Sequence, residues 1–126
     1  MKRADLEKSV SYQAQGRNLV NPGKIYSQAP YLYINERYRG IHVINNTDPA
    51  HPVNEGFIVV PGCIDLAMKG HILYVDNSVD LVAFDLESKT VTKRVKNVFP
   101  SPSAPDDSYY GYREDDMVLV EWRKIR

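Results

Sequence analysis

Between residues 24 and 98, short apolar runs rich in Val, Ile, Leu or Tyr are separated by polar turn residues, which is the pattern of strands rather than helices. Tyr31-Leu32-Tyr33-Ile34-Asn35, Gly40-Ile41-His42-Val43-Ile44 and Phe57-Ile58-Val59-Val60 are runs of this kind, as are Ile72-Leu73-Tyr74-Val75 and Leu81-Val82-Ala83-Phe84. All are rich in β-branched and aromatic side chains, which suit a pleated surface. Ala29-Pro30, Thr47-Asp48-Pro49 and Lys69-Gly70 punctuate them. In Asp48-Pro49-Ala50-His51-Pro52, two prolines fix φ and remove two backbone donors, so no strand crosses that loop. The pattern predicts strands near 24–28, 31–35, 40–45, 53–60, 63–68, 71–77, 80–86 and 91–98. At the N-terminus, Leu6 and Val10 lie four apart and predict one face of a short helix, too short to persist unless it docks.

The strand pattern repeats. Tyr31–Asn35 returns as Ile72–Asp76 at an offset of 41, and Gly40–Asn45 returns as Asp80–Asp85 at an offset of 40. Upstream, Pro22-Gly23-Lys24-Ile25 is echoed by Pro61-Gly62-Cys63-Ile64, and Phe57–Pro61 lines up with Val95–Pro100. Four landmarks thus keep their order and near-constant spacing. Four strands per roughly forty residues match the dimensions of a β-propeller blade. The predicted fold is all-β: two four-stranded antiparallel propeller-type blades plus a partial third unit and a short N-terminal helix. An ordinary antiparallel sandwich is the alternative. Along the chain this gives a helix or arm over 1–21, a first repeat over 22–62 and a second over 63–100. A Pro/Tyr/acidic loop and terminal strand follow over 101–126, all within one domain, with Met117–Trp122 opening the third unit.

Pro61-Gly62-Cys63-Ile64-Asp65-Leu66-Ala67-Met68-Lys69-Gly70, with Ile72–Asp76 and Asp80–Asp85 behind it, resembles the LVIVD repeat. Gly40-Ile41-His42-Val43-Ile44 and Asn45–Pro52 look like that repeat's last strand and its closing D-P-x-x-P element. The likeness covers about residues 22–100 in two units. The second unit departs from it, with Asp80 in place of glycine and Glu87-Ser88-Lys89-Thr90 in place of the proline loop. The resemblance implies propeller-type repeats of bacterial envelope lipoproteins, exported and cell-envelope associated, at the periplasm or outer surface, in full-length form. It implies a fold and a surface role rather than a chemistry.

Two units are too few to close a ring, and open strand edges invite pairing with another chain. The expectation is completion by self-association, membership of a longer propeller, or ends that wrap around the blades. Composition adds exclusions. With 16 Lys+Arg against 16 Asp+Glu the net charge is zero, which disfavours nucleic-acid and anionic-lipid partners. The balance hides an uneven distribution: basic over 1–40, acidic over 41–90 and near neutral thereafter. Met1–Glu7 carries no apolar run, so it does not read as a signal peptide, and no stretch reaches the length of a transmembrane segment. The single cysteine, Cys63, rules out an intrachain disulfide and a multi-thiolate zinc site.

Candidate chemistry is sparse. No glycine-rich phosphate loop, GxSxG turn or HExxH helix occurs, and no catalytic, cofactor-binding or metal-ligating residue is assigned. His42, His51 and His71 fall in a strand, a proline loop and a hairpin turn, without metal-site spacing. Cys63 reads as a buried, inert thiol. The candidate ligand or partner surface is the loop bearing Asp106, Asp107, Tyr109, Tyr110, Tyr112, Glu114, Asp115 and Asp116. Its carboxylates and aromatics fit calcium or a sugar ring in kind, although not in calcium-loop spacing. The functional expectation is a non-enzymatic scaffold or interaction protein that binds a protein, or itself, through its blade edges. The alternative is a glycan- or calcium-binding domain, as part of a carbohydrate-active enzyme.

Overall fold

The computed structural model describes residues 1–99 and, beyond them, the backbone pairing of β10 (Tyr109–Tyr110) with β11 (Arg123–Lys124). The protein is mostly β. A single helical turn, α1 (Arg3–Leu6), leads into β1 (Ser11–Gln13). Two antiparallel meanders follow. The first comprises β2 (Pro22–Gln28), β3 (Tyr31–Glu36), β4 (Gly40–Asn45) and β5 (Val53–Val59). The second comprises β6 (Leu66–Lys69), β7 (Ile72–Asn77), β8 (Asp80–Asp85) and β9 (Thr90–Val95). The first sheet has five strands rather than the expected four, because β1 pairs with the free edge of β5, giving the order β1-β5-β4-β3-β2.

The turns explain why the repeat keeps its landmarks. Tyr38 and Ser78, forty residues apart, both take positive φ (66° and 58°) between the second and third strands of their meanders. Gly62 (φ 80°) lies against the second of these turns, and a Cβ there would stand 2.9 Å from the Ser78 nitrogen. The Pro-Gly landmark before the second unit is therefore a close backbone approach that glycine permits.

The two sheets pack face to face. β2 runs beside β6 along one flank, and β1 beside β9 along the other. Tyr33, Ile41, Val43 and Ile58 from the first sheet meet Leu66, Leu73, Val75, Val82 and Phe84 from the second, with Val60 and Cys63 on the connection between them. Each fully buried aliphatic or aromatic side chain contributes roughly 1.5–3 kcal/mol. Exposed ion pairs contribute about 0–1 kcal/mol each, so this seam holds the molecule together.

The N-terminal segment docks as the helix reading expected, but through a shorter helix. Only Arg3–Leu6 is helical, so Val10 packs against the main core from an extended segment, not from the helix face of Leu6. Leu6 is fully buried against Val79. Arg3 Nη1 and Arg94 Nη1 each lie 2.7 Å from Asp80 Oδ2, and Arg94 Nη2 donates to the Leu6 carbonyl at 3.2 Å. Residues 14–21 must then cross the outer face of the first sheet, because β1 and β2 occupy its opposite edges.

Two expected strands are shortened. Residues 63–65 are not in β6, because Ile64 N and Asp65 N donate to the Asp76 carboxylate at 3.0 and 2.9 Å instead of to a neighbouring strand. β9 stops at Val95, since Asn97 turns to φ 56° and its N–H donates to Asp80 Oδ1 at 3.0 Å. The expected terminal strand at Met117–Trp122 lies outside the described residues.

Candidate functional site

Register places the two units in correspondence, face by face. Tyr33 pairs with Val43, and Ile41 with Ile58, on the first sheet's inner face. At the same places in the second unit, Tyr74 pairs with Ala83, and Leu81 with Val95, on that sheet's outer face. The first group is covered by the second sheet. Among the described residues neither a sheet nor the strap lies over the second group: Tyr74 is 36% exposed and Val95 41%, Leu81 is half-buried, and the small Ala83 is buried among its neighbours. Ile72, Tyr74, Leu81, Ala83 and Val95 line a shallow hollow of about 330 Å³ there, edged by Thr92 and Lys93.

The opposite faces correspond too. Leu73, Val75, Val82 and Phe84, the second sheet's inner face, match Leu32, Ile34, His42 and Ile44 on the first sheet's outer face. The strap of residues 14–21 crosses that outer face. The Glu36 carboxylate accepts the Val20 N–H at 2.9 Å and the Asn21 N–H, and lies 2.8 Å from His42 Nε2. Burial raises the Glu36 pKa, but these hydrogen bonds outweigh it and leave the group below its ordinary value. His42 is fully buried with its ring edge-on to Phe57 at 5.0 Å, and Arg17 of the strap sits 4.3 Å over the Phe57 ring. Where the second unit has Asn77 and Val82, the first has this acid–imidazole pair, placed to fasten a strap.

A second concavity opens between the sheets. Tyr12, Tyr31, Tyr33 and Val43 wall one side of a cleft of about 460 Å³, and His71, Leu86, Glu87 and Lys89 wall the other, with Gln28 and Glu55 at its rim. The Tyr31 and Tyr33 rings lie 6.2 Å apart, tilted by 30°. Lys89 Nζ stands 4.7 Å over the Tyr12 ring. Gln28 Nε2 donates to the Gly70 carbonyl at 3.2 Å, joining the sheets at the cleft's edge. His71 reaches Asp85 Oδ2 at 3.7 Å and Glu87 Oε2 at 3.6 Å. Burial first, and the Glu55 charge as well, raise the pKa of Tyr12 and Tyr33, so both phenols are held neutral.

The residues singled out from sequence fall in different places. His42 is under the strap, His71 is at the cleft, and His51 is exposed beside Asp48. Among the described residues, no three of His, Cys, Asp and Glu gather as a metal site would require. Cys63 is buried, its Sγ 3.3 Å from the Asp65 carbonyl; burial, with Asp76 nearby, pushes the thiol well up and away from the nucleophilic thiolate. Of the acidic-aromatic loop, Tyr109 and Tyr110 have their backbone in β10. Asp106, Asp107, Tyr112, Glu114, Asp115 and Asp116 lie outside the described residues. Of the cleft tyrosines, Tyr31 and Tyr33 were legible only as strand formers and Tyr12 not even as that, because which strands adjoin decides that they share a wall. Among the described residues, no helix is long and apolar enough to cross a membrane. No protein-family model, no curated protein and no solved structure matches this chain.

Proposed function

We propose that the chain is a non-enzymatic repeat module of the LVIVD type. In this reading its two sheets are successive propeller-type blades, and the open face of the second sheet docks another apolar sheet face. The observation that carries this is the register correspondence. Tyr74, Leu81, Ala83 and Val95 hold the places that Tyr33, Ile41, Val43 and Ile58 hold in the first unit, where a whole sheet covers them. A stack of repeats joins unlike faces head to tail, and its end units carry covers. The strap of residues 14–21 is such a cover at one end, and among the described residues nothing covers the other. The module's role is then to hold a partner or a further copy, as a scaffold of the cell envelope.

In a solution of the pure chain the unlike face is strapped, so the apolar surface at hand is the open face of a second copy, paired face to face instead of head to tail. Light scattering over a hundredfold concentration range should report a mass that rises from monomer toward dimer. A monomer at every concentration would contradict the stacking role.

A further inference from the structure

The cleft between the sheets supports a second kind of binding, which does not depend on how the sheets stack. It offers three phenol rings on one wall, two carboxylates and very little cationic charge. Its volume, about 460 Å³, is within the range of small-ligand sites. Glu55 and Glu87 are set against a single ammonium, that of Lys89. That ammonium shows what the wall attracts: it rests 4.7 Å over the Tyr12 ring, in the geometry of a cation–π contact. Lys89 belongs to the β8–β9 turn, where it takes a left-handed backbone conformation (φ 58°). Glu55, which accepts from Asn45 Nδ2 at 3.3 Å, lines the same cleft, and its charge acts on both the Tyr12 and Tyr33 hydroxyls.

We infer that the cleft is a binding site for an organic cation, an alkylammonium or guanidinium group laid against the tyrosine wall with Glu55 at the rim, and that Lys89 occupies part of it in the free protein. A neutral sugar would also stack on these rings. The carboxylates and the resident ammonium favour the cation. The cation could come from a free amine or from a Lys or Arg side chain of a peptide, and the two share the same chemistry.

The test is a titration of the full chain followed by the ring ¹H–¹³C shifts of Tyr12, Tyr31 and Tyr33. The probes are n-butylammonium, a short lysine-containing peptide, 1-butanol and glucose. The cations should move these signals saturably while 1-butanol and glucose do not, and tighter binding of the peptide than of butylammonium would assign the site to a protein partner. Lys89→Gln, at an exposed turn, should tighten butylammonium binding about threefold by freeing the Tyr12 face. Glu55→Gln should weaken it roughly fivefold. Equal response to 1-butanol, a response to glucose alone, no response to any probe, or an unchanged affinity in Lys89→Gln would overturn the inference. Unchanged melting temperatures in both variants would show that the effects belong to the site and not to folding.

Discussion

Asp80 and Gly40 hold the same place in their units, and the difference between them has a physical cause. At Gly40 the strand runs so close to β5 that a Cβ would overlap the Ile58 carbonyl oxygen. At Asp80 the equivalent corner carries a buried carboxylate that gathers Arg3, Arg94 and the Asn97 N–H. Burial alone raises the Asp80 pKa, but these three donors outweigh it and hold the carboxyl below its ordinary value. A depressed carboxylate pKa contributes stability that is present above the unfolded value, near pH 4, and is lost as pH falls through the folded value. Asp80→Ala should cost about 3 kcal/mol in urea unfolding at pH 7, since it removes the buried carboxylate that Arg3 and Arg94 share. Between pH 7 and pH 3 the variant should lose less stability than the wild-type chain. Equal acid sensitivity would remove Asp80 from this role.

Among the elements, the strands whose signal is local were legible and those that depend on distant partners were not. β3, β4, β7 and β8 follow from short runs rich in Val, Ile, Leu and Tyr bounded by Pro, Gly and Asp. β1 did not, because Ser11-Tyr12-Gln13 is mostly polar and finds its partner, Val59 to Phe57, more than forty residues away. The loss of residues 63–65 from β6 was equally hidden, because a side chain, Asp76, takes the backbone donors there. Asp80 in place of glycine, and the Glu36–His42 pair where the second unit has Asn77 and Val82, mark where the N-terminal segment is fastened. The first was visible in the sequence as a mismatch, but its purpose depends on the fold. Leu6→Ala should cost about 2–3 kcal/mol, because the side chain is fully buried under α1. Glu36→Gln should loosen the strap, seen as faster proteolysis at Arg17 with β7 and β8 still protected from hydrogen exchange. Simultaneous loss of protection in β7 and β8 would mean that the strap and the second sheet unfold as one unit.

For the whole molecule, the arrangement is directional. One sheet face is strapped, two meet at the seam, and the fourth has no cover among the described residues, and that fourth face repeats the pattern of a buried one. Zero net charge says nothing of this, nor of the cleft, where carboxylates and phenols gather on the seam's rim. The most direct measurement is sedimentation velocity on the wild-type chain, Leu81→Glu on the open face, and Ala50→Glu on the exposed loop between β4 and β5. The wild-type chain and Ala50→Glu should associate alike, and Leu81→Glu should weaken association at least tenfold, about 1.4 kcal/mol. Association of Leu81→Glu equal to that of the wild-type chain would contradict the assignment of this face as the docking surface.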